Sequence, residues 1–353
     1  MIPAGVSPKP APLPTGIGAI VMAGGIFAAA ALQRIPQGNL LTQPLAVVLI
    51  AGWAIIAGAI VMTATKGGIG AHTGPVIGSF AIGTWVAASA VAARMAMLAA
   101  PAALWLADLL FAASVGVWVW FMPRAVRNFG RIILARTAET QPTGIVLLTT
   151  VATQAVALLA FRLFPAVAPV RDAAAVLMGL GGVCYAVGTG VILRRYLGNP
   201  GWRIVTDWDN TNCILHGALS ITGLTAVVSD CFDIGLLVPF WALTLAVFIA
   251  VETIEVMRLV ARVRAFGVRE ATLVYDTSQW VRNFTFGMFY AFTAALAGGF
   301  KLASAYPAIG AITAAIVGLG QYVVLALLLA ELTLTLLSLA GGVRTAASCP
   351  REG

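Results

Sequence analysis

Charge is what this sequence has least of. Only 10% of its 353 residues are Asp, Glu, Lys or Arg, whereas 60% are hydrophobic, and the mean hydropathy is +0.97. About a quarter of the residues of a soluble domain are charged, so this chain has too little charge to cover a surface that faces water. The scarcity excludes an ordinary soluble globular protein and predicts an all-α membrane protein that crosses the bilayer several times.

Histidine and cysteine are scarce too. The chain has two histidines, His72 and His216, and four cysteines without CxxC spacing, so neither a metal site nor a disulfide framework is indicated. The sequence also lacks HExxH, GxSxG and P-loop motifs, and no GxGxxG follows a strand. We therefore predict neither an enzyme nor a cofactor. A haem held by the two histidines is an alternative of another class, although they lie in different segments.

The net charge of +8 does not indicate nucleic-acid binding. The arginines are scattered at the ends of apolar segments and form no patch with interleaved aromatic residues. Such a distribution is typical of topology signals in membrane proteins. We expect membrane lipid, and not nucleic acid, around this chain.

Ten apolar segments are long enough to cross a bilayer, which takes about 20 residues each. They cover 15–33, 43–63, 75–99, 101–121, 142–161, 172–193, 210–229, 233–257, 278–300 and 306–340. Pro101 separates the third from the nearly continuous fourth, because proline cannot continue a helix. We predict one transmembrane unit over 15–340, preceded by a proline-rich arm over 1–14 and followed by a tail over 341–353.

With ten spans, both termini and most of the 21 Lys and Arg residues fall on one side. Arg34, Arg94, Arg162, Arg171 and Lys301 fall on the other. Short cytoplasmic loops carry an excess of positive residues. We therefore expect both termini in the cytoplasm and the chain in the inner (plasma) membrane.

The segments pair into five hairpins, and the two helices of each hairpin differ in composition. The first is rich in small and polar residues, as in TGIGAIVMAGGI and NCILHGALSITG, whereas the second is plainer, as in LLVPFWALTLAVFIAV. Small residues let helices approach closely and polar residues avoid lipid. The pattern predicts an inner layer of first helices and an outer ring of second helices, with weak repetition at roughly 65 residues.

Carboxylates within the spans are few. Glu252 and Glu255 lie three residues apart near the expected cytoplasmic end of the eighth segment, beside Arg258 and Arg262. Such residues can relay protons in membrane proteins. An ion-pair cluster at the membrane interface explains this grouping at least as well.

Four of the inner segments resemble a known family. PTGIGAIVMAGGIFAAAAL, GPVIGSFAIGTW, GIVLLTTVATQAVALL and WVRNFTFGM occur in this order. They are similar to helices of the tellurite-resistance/C4-dicarboxylate transporter family, which includes the slow-type anion channels of plant guard cells. The resemblance covers essentially all ten segments. It implies a homotrimer in which the five inner helices of each subunit surround a central pore.

In this family a phenylalanine on the ninth helix occludes the pore, and the resemblance places it at Phe286. Gly287 then leaves room beside the ring. Arg282, one turn earlier, either attracts anions to the cytoplasmic mouth or extends to the membrane interface. Because positions 284 and 286 face about 160° apart on a helix, we expect Phe284, together with Phe289, to be packed away from the pore.

Hydroxyl groups suit anions because they donate hydrogen bonds without holding a charge too tightly. The candidates that line the pore are Thr84, Thr150, Thr153, Ser220 and Thr222, with His216 near the cytoplasmic mouth. The first hypothesis is a channel or transporter for small inorganic or organic anions, gated by a phenylalanine. The alternative is a proton-coupled exporter of a malate-like C4-dicarboxylate or of sulfite.

Overall fold

The computed structural model describes residues 13–135, 141–299, 302–341 and 343–345. Ten long helical segments fill most of these ranges. They are α1 (Thr15–Arg34), α2 (Gly38–Thr65), α3 (Gly78–Ala99), α4 (Pro101–Leu134), α5 (Gly144–Leu163), α6 (Ala168–Leu197), α7 (Asn210–Ser229), α8 (Ile234–Thr272), α9 (Gln279–Gly299) and α10 (Pro307–Leu339). Most of the predicted arm over 1–14 and of the tail over 341–353, together with Lys301, lies outside the described residues.

Nine of these helices are long and apolar enough to cross a membrane. The exception is α9, whose length suffices but whose apolar character is diluted by polar residues such as Arg282 and Asn283. Two short helices, Gly70–Thr73 and Leu302–Ala305, complete the helical elements of the described ranges. The chain is an all-α multi-pass membrane protein.

The only strands in the described ranges form a short pair. In β1 (Val274–Tyr275) and β2 (Arg344–Thr345) the chains run parallel, with Val274 opposite Arg344. The pair connects the segment before α9 to the segment after α10.

Burial alternates along the chain. In the most apolar stretch of α1, α3, α5 and α7, between 61% and 89% of the residues are buried, against 11% to 28% in α2, α4, α6, α8 and α10. Most residues of α9 are buried as well. The odd-numbered helices are therefore the interior of the molecule. The even-numbered helices expose large apolar side chains such as Ile55, Trp105 and Leu319, which suits contact with lipid.

The inner helices contact one another in a closed ring: α1 with α3, α3 with α5, α5 with α7, α7 with α9, and α9 with α1. A glycine without room for a Cβ lies at each of these five contacts. They are Gly18 against Thr84, Gly83 against Leu148, Gly144 against Thr211, Gly217 against Thr285, and Gly287 against Ile26. Close approach of backbones favours helix packing in membranes, where water does not drive association.

Tryptophans of three outer helices donate hydrogen bonds to hydroxyls of the inner helix that follows. The pairs are Trp53–Ser89 at 2.9 Å, Trp118–Thr153 at 3.0 Å and Trp241–Thr293 at 2.9 Å. The first two pairs are roughly 65 residues apart, which is the spacing of the weak repetition expected from the sequence. These bonds connect the first hairpin to the second, the second to the third, and the fourth to the fifth.

Two helices extend well beyond their apolar segments. The sequence predicted spans at 101–121 and 233–257, but α4 continues to Leu134 and α8 to Thr272. Hydropathy detects only the part that contacts lipid, whereas arginine-rich sequence also forms helix. Pro101 does mark a break, because Ala100 before it has non-helical angles. Gly267, at φ 80°, interrupts α8.

Candidate functional site: a central cavity and a buried ion-pair network

The five inner helices enclose a cavity of about 300 Å³. All of its lining residues lie on α1, α3, α5, α7 and α9, and most are alanine, leucine or isoleucine. Its polar lining residues are Gln33, Arg34, Arg94 and Arg162, and no carboxylate lines it among the described residues. The cavity occupies the C-terminal halves of the inner helices, at the end that we expect to face away from the cytoplasm.

Phe284, and not Phe286, lines this cavity. Phe284 is 1% exposed and is the only aromatic residue of the described lining, where Met288 follows it one turn later on α9. Phe286 points away from the cavity and contacts Phe248 of α8, with ring centroids 5.0 Å apart. The expected placement of these two phenylalanines was therefore wrong by two residues.

The rotation of α9 has visible causes. At Gly287 a Cβ would lie 2.6 Å from Cγ2 of Ile26, so the absence of a side chain lets α9 approach α1 along this face. On the opposite face Arg282 binds the carboxylate of Glu252 on α8. Gly287 thus serves the contact between two inner helices, rather than giving space to Phe286 as we expected.

An aromatic cluster joins α8 to the inner ring. The ring of Phe248 lies 4.7 Å from that of Phe289, nearly parallel to it, and 4.7 Å from the imidazole of His216. Phe286 completes the cluster at the edge of Phe248. Aromatic pairs at such distances contribute about 0.5–1.5 kcal/mol beyond the area that they bury. Phe289 has the packing role that the sequence predicted.

Glu252 of α8 bridges two inner helices. Its Oε1 lies 3.3 Å from Nε2 of His216 on α7, and its Oε2 accepts a hydrogen bond from Arg282 on α9. Arg282 also pairs with Glu255 at 3.0 Å. Arg282 is thus paired with two carboxylates and is not a free cation at a pore mouth.

The network continues towards the end of α8. Trp208 donates a hydrogen bond of 2.8 Å to Glu255, which also pairs with Arg258 at 3.5 Å. Arg258 in turn donates to the amide oxygen of Asn210 at the start of α7. The sequence suggested an ion-pair cluster of Glu252 and Glu255 with Arg258 and Arg262, but this cluster did not include Arg282.

The predicted hydroxyl lining is absent from the cavity. Most of the candidates donate to a carbonyl three or four residues earlier in their own helix, which is common for Ser and Thr in helices. These bonds are Thr84 to Ala81, Thr153 to Thr149, Ser220 to His216 and Thr222 to Ala218. Thr150 is buried and its hydroxyl has no partner in the described part of the chain. None of the five lines the cavity.

The two histidines lie in different surroundings. Nδ1 of His72 is 3.0 Å from the hydroxyl of Thr15, and its ring packs against the edge of Trp85. His216 instead contacts Glu252 and Phe248. The structure therefore does not bring them together as the two ligands of a haem would require. No group of three or more metal-ligating side chains occurs within the described ranges.

Outside the membrane-spanning segments, burial changes the pKa of His72. His72 is 2% exposed, and this burial lowers the pKa of its imidazole, because the charged form loses its hydration. His72 precedes α3, in the short helix Gly70–Thr73. The folded protein therefore favours a neutral His72.

The three arginines that line the cavity were not predicted from the sequence as site residues. Arg94 and Arg162 make no hydrogen bond or ion pair with any described residue, and Arg34 donates only a long bond of 3.4 Å to the carbonyl of Ala294. Their positions near the ends of apolar segments predicted all three to be topology signals. One signal distinguishes Arg94: it lies five residues before the end of α3, inside an apolar segment.

The cavity borders an irregular turn of α1. Residues Phe27–Ala31 form a π-helical turn, and Ala29 and Ala30 in it line the cavity. Such turns insert an extra residue into a helix and occur often at functional sites. Here the turn lies between the buried end of the cavity and Arg34.

Comparison with known proteins does not assign this chain to a family. The sequence matches no protein-family model and no curated protein. The class that the fold defines is an all-α multi-pass membrane protein, and its function rests on the geometry described above.

Proposed function

We propose that this protein is an anion channel or anion transporter whose path follows the axis of the inner ring. One observation carries the proposal: a cavity surrounded by all five inner helices is lined by three arginines and, within the described part of the chain, by no carboxylate. Fixed positive charge in a narrow, weakly polar space raises the local concentration of anions and repels cations.

Phe284 is the gate in this proposal. It lies at the buried end of the cavity, where the N-terminal halves of the inner helices pack closely. A bulky apolar ring blocks an ion both by its size and by excluding water. A conducting state then requires that Phe284 change its rotamer or that α9 move. The gate is thus two residues before the position that the sequence suggested.

The family resemblance supports the same proposal from the sequence. The tellurite-resistance/C4-dicarboxylate transporter family implies ten spans, a pore inside each subunit and a homotrimer. The proposal includes that the chain belongs to this family, that it acts in tellurite resistance and that it forms a homotrimer. The mass of the purified protein in detergent, measured by light scattering, tests the trimer: a monomeric mass would contradict it without affecting a pore within one chain.

Anion-substitution currents in planar bilayers test the function directly. Purified protein would be reconstituted, and currents recorded in chloride, nitrate, sulfite and malate at equal pH on both sides. We expect reversal potentials that follow the anion gradient and not the cation gradient. The control is the variant Arg171→Gln, which removes a cation outside the cavity and should give the same anion selectivity as the unmodified protein. Cation-selective currents would contradict the proposal.

A second candidate is a proton-coupled exporter of an organic acid or sulfite. The pair of His216 and Glu252 favours it, because two protonatable groups lie against each other beside α9. Malate flux in proteoliposomes, with and without a pH gradient, separates the two candidates. Flux that requires the gradient and is lost in Glu252→Gln supports the exporter. Current that persists at equal pH supports the channel.

A further inference from the structure

Arg94 and Arg162 stand out among the cations of this chain. Both are partly buried on inner helices and both line the central cavity. Neither has a hydrogen-bond or ion-pair partner among the described residues. They also lie close enough for their positive charges to repel each other. A charge within a membrane protein is costly unless it is paired, so an anionic partner for these two guanidinium groups would be stabilising.

Arg171, near the same end of the molecule, has ordinary hydrogen-bond partners. Arg171 at the start of α6 donates to the carbonyl oxygens of Pro165 and Ser229. Among the described residues, no carboxylate lines the cavity beside Arg94 and Arg162. Two guanidinium groups in such a lining suit an anion that enters from outside.

We propose that Arg94 and Arg162 form a binding site for a small soluble oxyanion, such as a carboxylate, at the wide end of the central cavity. The inference rests on the proposed function and names the substrate class that its path would accept. A guanidinium group donates parallel hydrogen bonds that match two oxygens of one anion.

Arg34 extends this site. Its side chain is exposed at the end of α1 and lines the cavity. Gln33 lines the cavity as well, but its amide nitrogen already donates to the carbonyl of Ala28 and to the hydroxyl of Thr42, so it has no N–H group left for an anion. The aliphatic lining between Arg94 and Phe284 then holds the carbon part of an organic anion. A cavity of about 300 Å³ is at the small end of ligand sites.

Anion protection against thermal unfolding tests the site in the full-length protein in detergent. The probes are sodium succinate, nitrate and chloride at one ionic strength. We expect succinate and nitrate to raise the unfolding temperature more than chloride. Arg94→Gln and Arg162→Gln should each weaken the apparent affinity for succinate about tenfold, the effect of losing one charge-assisted hydrogen bond. Arg171→Gln, as the matched control, should bind like the unmodified protein.

A second measurement separates binding from a structural role. Without added anion, Arg94→Gln should unfold at the same or a higher temperature than the unmodified protein, because it relieves repulsion and breaks no bond. Arg94→Lys keeps the charge but loses the planar pair of donors. Chloride should therefore still raise the unfolding temperature of this variant, and succinate should no longer raise it more than chloride does. A variant that is simply less stable, with unchanged succinate affinity, would overturn the site.

The outcomes for site and function are distinguishable. If bilayer currents are anionic but succinate affinity is the same in all variants, the oxyanion site is wrong and the proposed function stands. If succinate binding depends on Arg94 and Arg162 but no flux occurs, the site stands and the function fails. If an anionic phospholipid co-purifies, is lost in Arg94→Gln, and succinate gives no protection, a lipid headgroup occupies the arginines and the soluble-anion site is overturned.

Discussion

The rings of Phe286 and Phe248 lie 5.0 Å apart at an angle of 71°. This contact turns Phe286 towards the outer helix α8 and leaves Phe284, two residues earlier, as the aromatic side chain in the central cavity. The two positions face about 160° apart on the helix, so one rotation of α9 decides both. The predictions about a gate follow from that rotation.

Phe284→Ala should increase anion current several-fold, because it removes the only aromatic ring from the described cavity lining. Phe289→Ala should leave the current unchanged and lower the free energy of unfolding by about 3 kcal/mol, the usual cost of truncating a buried Phe. Phe286→Ala should cost less, since its side chain is partly exposed. Single-channel recording and thermal unfolding give the two readouts. Higher current from Phe286→Ala alone would show that the conducting state rotates α9 by about half a turn.

Arg282→Gln should destabilise the fold rather than reduce anion selectivity. It removes the pairs with Glu252 and Glu255. Breaking a fully buried pair by removing one partner costs about 3–5 kcal/mol, and we expect a smaller loss here because the Arg282 side chain is 30% exposed. The double variant Arg282→Gln with Glu252→Gln should recover part of that loss, because it leaves fewer unpaired carboxylates. Unfolding in detergent measures both. A selective loss of current at low salt, with normal stability, would instead restore a role for Arg282 in attracting anions.

Gly144→Ala should destabilise the inner ring, because a Cβ at this position would overlap the carbonyl of Thr211 at the contact of α5 with α7. Overpacking of this kind costs about 1–3 kcal/mol. Gly116→Ala on α4 is the matched control: no atom lies within 4 Å of its added Cβ, and alanine favours helix over glycine by about 1 kcal/mol. Equal effects in the two variants would contradict the close contact.

Lowering the pH should destabilise the protein through His72. Burial lowers its pKa in the folded state below the ordinary value of 6.5. Between these two values the unfolded chain binds a proton and the folded chain does not, so stability falls as the pH drops below 6.5. His72→Gln should reduce that dependence. Thermal unfolding between pH 8 and pH 5, in both proteins, measures the difference; identical slopes would exclude His72 as the cause.

Reporter tags test whether α9 crosses the membrane. With ten spans, a tag at the C-terminus and tags in the segments that follow α4 and α8 should all be cytoplasmic. With nine spans the C-terminus would lie on the opposite side from the segment after α8. Accessibility of single added cysteines to a membrane-impermeant reagent gives the same information. A tag outside the cell in the segment after α4 would contradict the predicted hairpins.

Hydropathy and composition alone determined the class of this protein. Long apolar segments of about 20 residues have few alternatives to spanning helices. Glycine-rich first helices such as α1 and α3 were expected to pack closely, because small residues let helices approach one another. The expected grouping of Glu252 and Glu255 with Arg258 and Arg262 rests on the rule that residues three or four apart share a helix face, and the structure shows the pair of Glu255 with Arg258. The sequence also placed the break at Pro101, since proline cannot continue a helix.

The tertiary structure alone decided which face of each helix meets the centre. Sequence spacing fixes the angle between Phe284 and Phe286, but the absolute rotation of α9 depends on Ile26 and Glu252, which come from other helices. For the same reason the hydroxyl of Thr153 meets Trp118 rather than the cavity. Arg94 and Arg162, 68 positions apart in the chain, become neighbours only because the inner helices close into a ring.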